Sequence, residues 1–402
     1  MARRRIDVIG RRVGRAEASA AFFDPGTRVP HGSIEWDRPQ ARPDAPSIVT
    51  TVTAVDLDVP RAAPRDAWRL TLGRFFADRT AVAALVAFAF VLFASFAGGP
   101  IVSTIVGHNG FQQYPYATNA NLDPAGVWSR VPTTVQVRLD EYGNVLPPPK
   151  SSRTLMILGA DGPLGRDELI RVLDGGKSSI EVGVFAVLIS ALIAVPLGCL
   201  AGFYGGKIDA IVSRLTEWVM AFPLIFFLVF ATMHLTATLR PIGWGHVIPS
   251  GVPMVALLIG VFTSFYPLRL VRAQLLTLRN AEFVDSSRMV GASGLRIIRK
   301  DLLPHLVPTL LVWGAVAVAT DMLLEVGLSV IGVGVQASTA TWGTLLAQTT
   351  GTIYSAGPGS GAGAHHTTWH TIWPTVAILV SVVSLNQVSE GIRRAIEPWR
   401  RA

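Results

Sequence analysis

The sequence predicts an all-α polytopic membrane protein with six transmembrane helices, and three observations lead there. Of the 402 residues, 50% are hydrophobic and only 15% are charged, a balance outside the usual range of soluble domains. Several apolar runs reach the roughly 20 residues that one helical crossing of a bilayer needs. The basic residues gather in segments that one topology keeps on a single side. Runs this long and this free of charge argue against the other home of such stretches, the buried core helix of a soluble protein.

Taken in order, residues 1–65 are rich in Arg, Asp and Pro and lack helical periodicity. They read as a disordered cytoplasmic extension without chemistry of its own. No apolar h-region follows the N-terminal arginines, so no cleavable signal is expected and the first span serves for insertion. Residues 66–80 place Trp68, Leu72, Phe75, Phe76 and Arg79 at helical spacing with charges between them. Such a segment forms an amphipathic helix in the interface plane. The spans follow at 81–104, 179–203, 211–236, 251–272, 306–335 and 372–390, the last five forming a core over 179–390 that encloses a charged loop at 276–302. The outer segment 105–178 is dense in turn residues, and 134–146 alternates before breaking at Gly143-Asn144, the pattern of a small hairpin. With the N-terminus and the 391–402 tail in the cytoplasm, most of the 35 Lys and Arg stay inside. The net charge of +8 is therefore a topology signal and not a nucleic-acid footprint. The one cysteine, Cys199, permits no intrachain disulfide.

Several kinds of chemistry are argued against. Gly176-Lys177-Ser178 resembles the end of a phosphate loop, but Arg171 stands where the leading glycine belongs and no strand precedes it. His365, His366 and His370 lack the spacing and the carboxylate or cysteine neighbours of a metal site. No nucleophile elbow, zinc-protease motif or Cys-x-x-Cys occurs. The chain is expected to be no enzyme and to hold no metal or cofactor.

The segment "EFVDSSRMVGASGLRIIRKDLLPH" stands apart, because it is short, charged and broken by glycine between two apolar runs. As helix, Phe283, Ser286, Ser287 and Val290 share a face; Gly291-Ala292-Ser293-Gly294 interrupts, and a second helical stretch carries Arg296, Arg299 and Lys300 up to Leu303-Pro304. The residues alone allow two readings, a docking device for a partner's groove or a solvated loop. Here a family resemblance enters. The segment resembles the Glu-Ala-Ala coupling loop of ABC-importer permeases: Glu282-Phe283-Val284 as lead-in, Asp285-Ser286-Ser287 at the motif, then Gly291, and later Leu303-Pro304. Asp for Glu and Ser for both alanines depart from the pattern and keep its spacing. Ala292, Ser293 and Arg296 fall within the same contact segment.

The resemblance extends along the chain. "GADGPLGRDELIRVLDGG" is similar to the outer Gly-Thr-Asp-x-x-Gly-Arg-Asp motif of dipeptide and oligopeptide permeases, placing Gly159, Asp161, Gly165, Arg166 and Asp167 at its fixed positions, with Ala160 for Thr and one extra residue before Gly165. "VPLGCLAGFYGGKID", "MAFPLIFF" and the stretches 323–343 and 373–400 match as well. The resemblance implies the type I ABC-importer permease fold. It also implies a second homologous permease subunit, two ABC ATPase subunits that bind the ATP and Mg, an extracytoplasmic substrate-binding protein, and a bacterial inner membrane with both termini cytoplasmic. Di- or oligopeptide is the implied cargo, with nickel complexes and glutathione as alternatives. Asp321 and Glu325 lie four apart on one face of the fifth span. Intramembrane acids are costly, so these two line a vestibule or serve as structural partners. An ion-coupled secondary transporter is the competing reading; it calls for an internal inverted repeat or broken helices, and the sequence shows no repeat.

Overall fold

The computed structural model describes residues 64–118, 124–134, 140–141, 146, 152–239, 251–355 and 368–396. The N-terminal extension up to residue 63, the Gly143-Asn144 turn, His365, His366 and the last six residues lie outside them. Among the described residues ten longer helices follow in order: α1 Pro64–Ala77, α2 Arg79–Val106, α3 Glu168–Tyr204, α4 Gly206–Ala221, α5 Leu224–Leu239, α6 Val252–Leu278, α7 Glu282–Met289, α8 Gly294–Val330, α9 Trp342–Ser355 and α10 Thr368–Ile396. Of these, α2, α3, α6, α8 and α10 are long and apolar enough to cross a membrane.

The third span differs from expectation. Residues 211–236 look like one apolar run, but α4 and α5 meet at 89°. Pro223 sits at the break: it has no N–H to offer the preceding turn, and it drives the residue before it out of helical geometry. Phe222 is accordingly extended, at φ −87° and ψ 139°. The second span is also longer than 179–203, because the polar stretch from Glu168 is already helical. At 37 residues, α3 measures about 55 Å, well beyond the roughly 30 Å of a bilayer's hydrocarbon core.

That long helix is the axis of the core. Near its start, Ile180 packs with Val91 of α2, Ala319 and Met322 of α8, and Trp342 and Leu345 of α9. In its middle, Val182 and Ala186 pack with Met254 to Ile259 of α6 and Leu328 of α8. Small residues allow the approach, as is usual for helices in lipid. A Cβ on Gly183 would lie 2.7 Å from Met322 Cγ and 2.9 Å from the Val318 carbonyl oxygen. Gly183→Leu is therefore expected to prise α3 from α8 and to lower the melting temperature of purified protein by several degrees, read by a thermal-shift assay. Away from this packing, Leu188 and Leu192 of α3 are exposed.

α1 is docked through Phe75, which packs with Ala81 and Ala395, whereas Leu72 and Phe76 of the expected apolar face stay exposed. Asp78 caps α2 by accepting from Thr80 N–H at 3.0 Å, and it pairs with Arg394 at 3.2 Å. The Thr80 hydrogen bonds hold its carboxyl below the usual aspartate range. Between α2 and α3 lies a small outer module. Strands β1 Ser129–Pro132 and β2 Arg153–Met156 pair antiparallel, and β3 Ala160–Asp161 pairs with β4 Arg166–Asp167. Tyr114, Ala117, Val131, Met156 and Ala160 form its core.

Candidate functional site

The charged segment of the sequence folds as a helix, a turn and the start of a second helix, as its residues suggest. Glu282 and Asp285 occupy the first turn of α7 and Arg288 the last, the arrangement the helix dipole favours. Gly291 ends it with φ +82°, a left-handed conformation that side chains disfavour. Its N–H donates to the Arg288 carbonyl at 2.9 Å, and Ala292 N–H to the Ser287 carbonyl at 3.0 Å. Ser293 is extended and begins α8. Leu303 and Pro304 do not start a new helix as expected. They continue α8, after a π-helical turn over Ile297–Leu302.

One residue that the facial pattern leaves out anchors this unit. Val284 is fully buried with Cys199 of α3, Val271 and Leu275 of α6, and Ile297, Leu302 and Leu306 of α8. It points inward, while Val290, placed by its spacing with Phe283, is 89% exposed at the tip beside Met289. Phe283 stacks on His305 at 5.0 Å, and the Arg288 guanidinium lies 5.6 Å from the Phe203 ring. A Cβ on Gly294 would come 2.8 Å from Tyr204 Oη, so α8 starts against the end of α3. Ser286 donates to the Glu282 carbonyl, and Ser287 donates to Asp301 Oδ2 at 2.9 Å. Between the tip and α8 lies an open cleft of about 360 Å³, lined by Ser286, Gly291, Arg296 and Lys300 among others. The result is a rigidly seated helix with an exposed apolar and charged tip.

The outer motif is brought together at the other end of α3. Gly159 and Gly165 both have positive φ, at +89° and +63°, and frame the β3–β4 turn. Asp161 accepts from Arg166 Nε at 3.1 Å, and its Oδ2 lies 2.5 Å from Arg171 Nε, an ion pair without the alignment of a hydrogen bond. Burial pushes the Asp161 carboxyl up, while Arg171 and Arg166 pull it back. Arg166 also reaches Gln348 of α9 at 2.8 Å. Asp167 caps α3 by accepting from Ile170 N–H and takes His108 Nε2 at 3.0 Å on its other oxygen. His370 of α10 stands 4.0 Å from Glu168. Motif and helix start thus form a buried polar hub joining the outer module to α3, α9 and α10. Arg171, His108 and His370 are its members that motif reading missed, since their partners are far away in sequence or outside the pattern.

Asp321 and Glu325 share a face of α8, as their spacing requires, and both are buried within the chain. Glu325 Oε1 accepts from Ser329 and Thr341, each at 2.8 Å, and Oε2 from Ser179 at 3.3 Å. Ser179 in turn accepts from Trp342 N–H at 3.0 Å. Glu325 therefore fastens α3, α8 and the start of α9. Asp321 Oδ2 has no hydrogen-bond partner among the described residues. Gly176-Lys177-Ser178 lies inside α3 and not in a loop. Among the described residues, no group of three or more His, Cys, Asp and Glu is placed to hold a metal.

A bundle of long apolar helices with a firmly seated helix and exposed tip at one end and a polar hub at the other defines a multi-pass membrane protein. Residues 194–402 match the family described as binding-protein-dependent transport system inner membrane component. The dipeptide transport system permease protein DppC of Bacillus subtilis is 32% identical over 59% of this chain and 67% of that protein. The glutathione transport system permease protein GsiD of Pectobacterium atrosepticum is 29% identical over 60% of this chain and 72% of that protein. Among solved structures, a chain of the MetNI methionine ABC transporter in an inward-facing conformation aligns at 17% identity and a TM-score of 0.42, covering 55% of this chain and 96% of that one. The chain belongs to the family of binding-protein-dependent transport system inner membrane components. It is a permease subunit of an ABC importer, with the permease fold that its motifs implied.

Proposed function

We propose that this chain supplies one half of a translocation pathway for di- or oligopeptides, and that residues 282–304 are where a cytoplasmic ATPase takes hold of it. The observation that carries the reading is the construction of α7. Val284 is sunk in a core shared by three spanning helices, while Met289 and Val290 project at the tip. A push on such a tip is passed to the helices as a rigid-body displacement. A solvated loop would need neither the anchor nor the apolar tip. The peptide cargo is supported by the dipeptide and glutathione permeases among the relatives, glutathione being itself a short peptide. The remaining parts follow from this division of labour: a second, homologous permease half, two ATPases that hold ATP and Mg, and a binding protein on the outer side. The chain itself carries no cofactor and binds no nucleic acid. It sits among the lipids of a bacterial inner membrane, with the tip and both termini in the cytoplasm.

Gly291 provides the test. No atom lies within 4 Å of a Cβ built there, so substitution acts through backbone strain alone, about 1–2 kcal/mol for a side chain held left-handed. Gly291→Val is expected to insert at wild-type levels but to lose most peptide uptake. Gly291→Asn, which tolerates that conformation, should retain most of it. Uptake assays and recovery of the ATPases with tagged protein read the outcome; normal uptake by Gly291→Val with the complex intact would sink the assignment.

A further inference from the structure

The bond from Ser287 to Asp301 links α7 to the start of α8 beside the apolar core around Val284 and the stack of Phe283 on His305, whose Nδ1 lies 2.6 Å from the Asp301 carbonyl oxygen. Ser287 sits at a position where the family pattern has alanine, which offers no such bond. Its carbonyl already closes the turn by accepting from Ala292 N–H, so the hydroxyl at 2.9 Å from Asp301 Oδ2 is a second tie from the same residue. Asp301 lies within the π turn Ile297–Leu302. A π turn carries one residue more than an α turn, and each helical residue turns the chain by about 100°, so the turn changes the direction in which Asp301 leaves the helix. Such turns recur at functional positions. Pro304 follows at once and lacks the N–H that the preceding turn would have used. The basic neighbours on this stretch are Arg296, Arg299 and Lys300; none has an ion pair to Asp301 among the described residues. A charged acceptor held by a hydroxyl donor is among the stronger hydrogen bonds a half-exposed site can offer.

We propose that Asp301 is a positioning residue for transport: through Ser287 it fixes the angle at which the α7 tip is presented, so that ATPase movement reaches α8 and is not spent in rocking the tip. The proposal rests on the docking role assigned to residues 282–304. It adds a residue outside the family motif, and it implies that the serine at 287 is a working substitution.

The experiment uses the full chain in its complex, comparing Asp301→Ala, Asp301→Asn, Ser287→Ala and the Ser287→Ala/Asp301→Ala double variant. A hydrogen bond to a charged group at a half-exposed site corresponds to about a three- to tenfold change in the equilibrium it holds. Asp301→Ala and Ser287→Ala are each expected to raise ATP consumed per peptide moved by that factor, with ATPases still bound. The double variant should be no worse than either single one, and Asp301→Asn, which still accepts, should stay near wild type. In the purified permease alone, hydrogen exchange of the α7 amides should quicken by a similar factor in Asp301→Ala and not in Asp301→Asn. Unchanged coupling and unchanged exchange in Asp301→Ala would overturn the proposal. Quickened exchange without a change in coupling would overturn the transport role and leave only a local tie. Wild-type protein that recovers no ATPase would overturn the docking reading and, with it, the transport role, while the exchange result still decides whether the tie exists.

Discussion

Arg171→Met is expected to leave little folded permease in the membrane fraction. The Arg171 side chain is 1% exposed and its Nε faces the 4% exposed Asp161; removing it leaves Asp161 with Arg166 alone, and breaking up a buried charge cluster in this way costs up to about 3–5 kcal/mol. Glu168 sits one turn before Arg171 on α3 and loses the same neutralising charge. Two companion variants separate charge from packing. Arg171→Lys keeps the charge but not the planar guanidinium, and should recover part of the yield. Adding Asp161→Asn to Arg171→Met removes the carboxylate that has lost one of its two cations and should recover part of the yield. Membrane-fraction yield and the melting temperature in detergent measure both. Wild-type yield from Arg171→Met would show that the hub is no keystone of the outer end.

The second large effect is expected at Glu325. Glu325→Ala removes the acceptor shared by Ser179, Ser329 and Thr341, and each buried hydroxyl left without a partner costs about 1–3 kcal/mol. The start of α9 should loosen from α3 and α8. We expect a fall of several degrees in melting temperature and a matching loss of transport, whereas Glu325→Gln, which still presents an acceptor oxygen, should lie near wild type. If Glu325→Ala melted normally but admitted a different range of peptides, the residue would belong to the pathway and not to the frame.

What the sequence revealed and what it hid divide along physical lines. The spanning helices are legible because lipid demands long apolar runs. The tip is legible because a charged stretch broken by glycine cannot stay in lipid, and must emerge between the two runs that flank it. The left-handed turn at Gly291 follows from the residue type. The 89° bend between α4 and α5 was masked, because hydropathy continues straight through Pro223 while the backbone cannot. Val284 escaped notice as a single valine in a polar stretch, and its burial is decided by α3 and α6. The hub could not be assembled in advance: His108 and Asp167 are 59 positions apart, and Arg166 and Gln348 are 182 apart. Charges that satisfy each other over such separations leave no period or spacing to read.

α3 begins in the hub, with Asp167 as its cap, and ends at Phe203 and Tyr204 beneath the tip. The same helix, with Pro196 inside it, therefore touches both the hub and the segment proposed above to meet an ATPase. Geometry alone gives the scale: a tilt of about 5° in a rod of about 55 Å carries one end about 5 Å relative to the other. A binding protein settling on the outer module and an ATPase closing under the tip would thus be pulling on opposite ends of a single lever, and each could feel the other's position without any signal passing from side chain to side chain.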